Sequence, residues 1–295
     1  MDIESKNSKR IWIIGAGFMG RGIAQICAQH KISAWLIDPH EKALADSRTH
    51  IIWSLTKMYD KGRVEEEPVS TLSRIHFERK APQLYDALDF LVECLPEDFT
   101  IKKEVLSTYD GICPPHTIFA TNTSALPIGK LASTTTRQDR FIGTHFASPP
   151  VIQKLVEIIP SLTTTADTLS RTRDLLIRLE REIVEVKIDT AGFIMNRIYL
   201  AAAGEAIRLY ARGVATVEDI DRAMRVGYGW SKGPLEAADL AGLDIIRNAM
   251  ISIWEDTGDE RYCPPERLNR LVEAGRLGRK TGAGFYEYHK EGGKS

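Results

Sequence analysis

Two hydrophobic rhythms divide the chain. In the first part, short apolar runs alternate with longer segments of 3.6-residue period. The runs at 11–14, 34–37, 75–77, 88–93, 117–120, 141–145, 155–159 and 183–186 read as strands. Between them, 41–61, 100–109 and 166–179 read as helices. In 41–61 the apolar stripe is Ala43, Leu44, Ile51, Leu55 and Met58. Alternation of this kind predicts an α/β fold with a mostly parallel, Rossmann-type sheet covered on both faces. Near 187–192 the rhythm changes, and strand signals vanish until a short aromatic run at 285–288. Helical periods fill 193–210, 234–254 (one helix or two) and 265–273. Thr216 with Asp219 has capping-box spacing for a further helix. The pattern predicts two domains, 1–189 and an all-α domain at 190–295, with a frayed tail at 291–295.

The first run leads into Gly15-Ala16-Gly17-Phe18-Met19-Gly20, then a helical pattern, a second run and Asp38. Strand, glycine turn, helix, strand and acid, in that order, suit a bound dinucleotide. Gly15 permits the tight turn, Gly17 lets the backbone approach a pyrophosphate, and Gly20 lets helix pack on sheet. The helix start offers N–H groups and positive dipole to phosphate. Asp38 can accept ribose hydroxyls and repels a 2′-phosphate, so NAD is expected rather than NADP. The alternative is a plain glycine turn.

Composition narrows the class. The chain has 295 residues, 43% hydrophobic and 27% charged, with a formal net charge of -1. Nothing there draws it to nucleic acid or an anionic membrane. The four Cys lack CxxC spacing, so no structural metal site or disulfide framework is expected, and a reducing cytoplasm fits. Neither a signal core nor a run of about 18 apolar residues is present.

Removing hydride from an alcohol carbon needs a base for the hydroxyl proton. Of seven His, His30, His40, His50, His116 and His289 sit in polar surroundings, and His76 lies in a short run. His145 differs: it closes the run 141–145, where a Rossmann strand points toward the cofactor crevice. It reads as an acid/base or as a structural His. Glu157 interrupts the apolar run 155–159. It is either paired, with His as a fitting partner, or exposed on an edge strand. Asn196 is a polar residue early in an apolar helix. A catalytic site is expected in the cleft between the domains.

Taken together, these segments resemble the L-3-hydroxyacyl-CoA dehydrogenase family, 3-hydroxybutyryl-CoA dehydrogenases included, over nearly the whole chain. The matching motifs are the glycine turn, Glu93-Cys94-Leu95-Pro96-Glu97 through Lys102, Thr121-Asn122-Thr123-Ser124, and Gly143-Thr144-His145-Phe146. They continue through Lys154-Leu155-Val156-Glu157, Gly192-Phe193-Ile194-Met195-Asn196-Arg197, Gly233-Pro234-Leu235-Glu236 and Lys280-Thr281-Gly282-Ala283-Gly284-Phe285-Tyr286.

The resemblance implies reversible, NAD-dependent oxidation of an L-3-hydroxyacyl-CoA to the 3-ketoacyl-CoA. It assigns His145 as acid/base, Glu157 as its partner, and Ser124 and Asn196 to the substrate oxygen. It adds Glu97, Lys102, Asn122 and Lys280 to Gly15, Gly17, Phe18, Met19, Gly20 and Asp38 as cofactor contacts. It places coenzyme A on Ser54 and Lys61, and implies a homodimer through the helical domain. One departure stands beside the catalytic His. The family commonly reads His-Phe-Phe-Asn-Pro, whereas this chain has His145-Phe146-Ala147-Ser148-Pro149. That leaves a free hydroxy acid open as the substrate, as in the L-gulonate and carnitine dehydrogenase branches.

Overall fold

The computed structural model describes residues 10–82 and 88–288, so His289 and the tail at 291–295 lie outside the described residues. The chain divides into two compact units, Met1–Asp189 and Thr190–Ser295. The first holds an eight-stranded sheet. Its strands are β1 Arg10–Ile14, β2 Ser33–Ile37, β3 Ile75–Glu78, β4 Leu88–Glu93, β5 Ile118–Thr121, β6 Phe141–Phe146, β7 Leu155–Pro160 and β8 Glu182–Glu185. Their spatial order is β3-β2-β1-β4-β5-β6-β7-β8. Every neighbouring pair is parallel except β6 and β7. Strands of a sheet buried on both faces carry continuous apolar runs. Ile11, Trp12, Ile13 and Ile14 are accordingly all buried, as are Phe90, Leu91 and Val92.

The helices of this unit are α1 Phe18–Gln29, α2 Glu41–Asp60, α3 Pro68–Leu72, α4 Phe99–Asp110, α5 Ile128–Ala132 and α6 Ala166–Arg178. Ile23, Ile26 and Cys27 of α1 join Leu44, Ile51 and Leu55 of α2 in the core against the sheet. Polar residues set the ends. Asp98 accepts from Ile101 N at 3.0 Å to cap α4, and Asp189 accepts from Ile128 N and Gly129 N at 2.9 and 2.7 Å to cap α5. The five-residue helices α3 and α5 span less than two turns and leave no periodicity to read.

The second unit is helical: α7 Met195–Ala211, α8 Val217–Arg222, α9 Pro234–Ala241, α10 Leu243–Thr257 and α11 Glu266–Glu273. Two details differ from the sequence pattern, and one resolves an alternative it left open. Phe193 adopts φ 50°, so α7 begins two residues later than its periodicity. Segment 234–254 is two helices, broken at Gly242 with φ 104°. The aromatic run at 285–288 forms only isolated bridges. It is held instead by Asp239, which accepts from Phe285 N and Tyr286 N, both at 2.9 Å, and by Asp221, which accepts from Tyr286 Oη at 2.8 Å. Among the described residues, no helix is long and apolar enough to cross a membrane.

One buried cation anchors the approach to β6. Arg137 donates to the Asp110 carboxylate at 2.5 Å and to the carbonyls of Pro114, Asp110 and Cys113 at 2.6, 2.8 and 3.1 Å. Arg137→Ala would remove the cation paired with the Asp110 carboxylate and the donors it supplies to three carbonyls. A loss of about 3–5 kcal/mol in urea-unfolding stability is expected. A change below about 0.5 kcal/mol, the range of ordinary surface positions, would show that the clamp does not hold this segment.

Candidate active site

The glycine turn is shaped by close approach. Gly15 has φ 103°, and a Cβ there would lie 2.7 Å from the Cys94 carbonyl oxygen. A Cβ on Gly20 would lie 1.9 Å from the Gly15 carbonyl oxygen. Gly17 is the opposite case, since a Cβ there meets nothing within 4 Å. Its missing side chain is not required by the protein's own packing, which fits a ligand brought close to the backbone. No side chain caps α1, and no acid sits in its first turn, which holds Phe18, half exposed, and Met19. Those N–H groups suit a phosphate. Asp38, at the end of β2, accepts from Ala16 N and His40 N, both at 2.9 Å. Asp38 therefore holds the turn through its own carboxylate. The residues present fit a dinucleotide.

His145 and Glu157 are brought together by the single antiparallel pairing of the sheet. They stand directly opposite each other on β6 and β7. His145 Nδ1 lies 2.7 Å from Glu157 Oε2, with His145 7% exposed and Glu157 wholly buried. Glu157 is thus not an exposed edge residue, because β7 lies between β6 and β8. Nδ1 of the His145 ring is thereby engaged by Glu157. A carboxylate in this position fixes the orientation of the ring.

A second polar cluster lies where β4 and β5 end. Glu93 and Lys102 are buried, and Lys102 Nζ donates to Glu93 Oε1 at 2.7 Å and to Leu95 O at 3.2 Å. Glu97 Oε2 lies 3.5 Å from the same ammonium. Burial alone would lower the Lys102 pKa, but the carboxylates of Glu93 and Glu97 reverse that and raise it, so the ammonium stays charged. Glu97 Oε1 accepts from Thr123 Oγ1, Ser124 N and Ala125 N at 2.5, 2.8 and 2.8 Å. Asn122 Oδ1 accepts from Phe146 N at 3.0 Å, tying the turn that carries Ser124 to the strand that carries His145.

Ser54, on α2, lines a groove of about 110 Å³ with Phe18, Arg21, Trp53, Pro149 and Pro150. Lys61 is exposed at the C-terminal end of α2. In the second unit, Asn196 is half-buried in the first turn of α7, and Lys280 pairs with Asp244 at 2.6 Å. Sequence reasoning missed Glu93. Its signal was the one that singled out Glu157, an acid within an apolar run.

Residues 10–190 match the family model "3-hydroxyacyl-CoA dehydrogenase, NAD binding domain", and residues 192–288 match "3-hydroxyacyl-CoA dehydrogenase, C-terminal domain". The mitochondrial hydroxyacyl-coenzyme A dehydrogenase of Sus scrofa is 40% identical over 95% of this chain and 91% of its own. A probable 3-hydroxybutyryl-CoA dehydrogenase of Bacillus subtilis is 38% identical over 96% of this chain and 98% of its own. Among solved structures, the (S)-3-hydroxybutyryl-CoA dehydrogenase of Ralstonia eutropha superposes with a TM-score of 0.90. It is 35% identical, over 96% of this chain and 100% of that one.

The two inner glycines separate folding from cofactor binding. Gly17→Ala is expected to keep unfolding stability within about 0.5 kcal/mol of the parent while weakening NADH binding in a fluorescence titration. Gly20→Ala is expected to cost about 1–3 kcal/mol of stability, because its methyl meets a backbone oxygen. Full NADH affinity in Gly17→Ala would refute the close-approach role.

Proposed function

The chain belongs to the 3-hydroxyacyl-CoA dehydrogenase family, and we propose that it oxidises an L-3-hydroxyacyl-CoA reversibly to the 3-ketoacyl-CoA with NAD. One observation carries the mechanism: the buried His145–Glu157 pair at the carboxyl end of β6, on the same edge of the sheet as the glycine turn. NAD, when bound, supplies the hydride acceptor for the substrate's C3. Gly15, Gly17, Gly20 and the first turn of α1 hold its pyrophosphate, and Asp38 holds its adenosine ribose. His145 Nε2 takes the proton of the 3-hydroxyl as the C–O bond becomes a carbonyl. Glu157 keeps the ring oriented through Nδ1 and stabilises the imidazolium that forms. Ser124 and Asn196 hold the reacting oxygen, and Ser54 and Lys61 receive the coenzyme A end. In the reverse direction, the imidazolium returns its proton to the oxygen of the reduced carbonyl.

Ala147 and Ser148, next to His145, favour a second reading in which the substrate is a free hydroxy acid. Purified protein should reduce acetoacetyl-CoA with NADH and leave L-gulonate and carnitine untouched with NAD. His145→Ala should lower kcat at least about 10²–10⁴-fold, the usual span for losing a general base. Turnover of the free acids alone would replace the coenzyme A reading. Near-parental turnover in His145→Ala would sink the assignment of the base.

We also infer a homodimer through the helical unit. Ile198, Val214, Val226 and Tyr228 there are large apolar side chains exposed to solvent. Sedimentation equilibrium should give twice the chain mass, and a monomer at micromolar concentration would refute it.

A further inference from the structure

Glu93 and Lys102 are buried titratable groups with no part in the proton and hydride transfers described above. Burying an ion pair costs several kcal/mol per ion, to order of magnitude, unless its remaining hydrogen-bonding capacity is met. Here it is met on every side. Glu93 accepts from Lys102 Nζ at 2.7 Å, Leu95 N at 2.5 Å and Thr121 Oγ1 at 2.6 Å. The three donors of the Lys102 ammonium face three acceptors: Glu93, the Leu95 carbonyl and, at 3.5 Å, Glu97. A direct contact to a dinucleotide would require one of them to be given up. The far oxygen of Glu97 gathers Thr123 Oγ1, Ser124 N and Ala125 N. Thr123 Oγ1 closes the turn by accepting from Leu126 N at 3.1 Å.

We propose that Lys102 is a positioning residue: seated on Glu93, it holds the Glu97 carboxylate, which fixes the turn at 123–126 and so aims Ser124. The inference rests on the reading of Ser124 as a substrate-oxygen contact. A donor aimed in advance at an oxygen that gains and loses charge needs no rearrangement during the reaction. A turn left loose by an ångström can cost on the order of 10²-fold in rate. Glu93 is the base of the strut, Lys102 its connector and Glu97 its head. Of these, only the Glu97 side chain is appreciably exposed, at 36%.

The test compares Glu97→Ala, Lys102→Gln and the double variant. Amide hydrogen exchange at residues 123–126 is measured without substrate, and kcat, KM and the NADH Kd are measured alongside. Glu97→Ala keeps the Glu93–Lys102 pair and should fold. It should speed exchange at Ser124 and Ala125 by about 10–100-fold, the equivalent of charge-assisted hydrogen bonds lost. It should lower kcat by about 10–100-fold, as a loosened turn does. Lys102→Gln should move both quantities the same way, and the double variant should be no worse than Glu97→Ala. If Lys102→Gln fails to fold, Glu97→Gln decides the link. It keeps an acceptor for the turn but removes the charge facing Lys102, so exchange and kcat both shift if Lys102 anchors Glu97. Unchanged exchange in Glu97→Ala or in Glu97→Gln overturns the proposal. So do losses that add in the double variant. Exchange is read without turnover, so inactivity of the parent protein toward every hydroxyacyl-CoA would count against the function reading and leave exchange to judge the strut.

Discussion

A carboxylate inside a sheet that is covered on both faces must find a hydrogen-bonding partner, and the first unit is organised around two such acids. Glu157 is the sharper case. Its neighbours along β7, Val156 and Ile158, are wholly buried, so water cannot satisfy it. The antiparallel register of β6 and β7 puts His145 directly opposite, close enough for a 2.7 Å contact. Slipping that register by one residue would turn every side chain of one strand to the other face. The pair and the hairpin therefore specify each other. The requirement that makes Glu157 expensive to bury also leaves His145 in one orientation, with one nitrogen committed.

The second acid, Glu93, obeys the same rule with a different partner. It ends β4, beside the strand that leads into the glycine turn, and it is neutralised by Lys102 from α4 rather than by a His. Around it the chain ends of β1, β4 and β5 are drawn together: Cys94 N donates to Ile14 O at 2.8 Å and Asn122 N to Glu93 O at 2.9 Å. The Cys94 carbonyl is also the atom that forbids a side chain at Gly15. The cofactor turn and the Ser124 turn are thus built against one another through β4. The conformation of each is set by polar groups that cannot be left unmatched.

Much of this was legible in the residues. Continuous apolar runs identified the eight strands, because a doubly covered parallel sheet leaves no polar face to disguise them. The glycine spacing and Asp38 marked the dinucleotide turn, and the acid within 155–159 marked Glu157. The choice between a paired and an exposed Glu157 was not legible. It depends on β8 covering β7, which only sheet order decides. Lys102 shows a different limit: resemblance assigns a position, whereas burial and donor count belong to three dimensions. The run at 285–288 is rich in aromatics as strands are, yet its backbone is satisfied by Asp239, forty-six residues away from Phe285. Single-sequence periodicity carries no trace of such a partner.

The departure at Ala147 and Ser148 can be placed in the same terms. These residues follow β6 directly, in a connection pinned at both ends. Ala147 N donates to Leu155 O at 3.0 Å, which continues the hairpin one step past Phe146. Further along, Pro150 packs on α1 so closely that a Cβ on Gly22 would lie 2.5 Å from its ring. Neither anchor uses a side chain of Ala147 or Ser148. The path of the loop and the His145–Glu157 pair are therefore held by atoms other than these two side chains. The residue types at 147–148 and the buried His145–Glu157 pair are in this way separately encoded. The sequence can depart from its family at the first without disturbing the second.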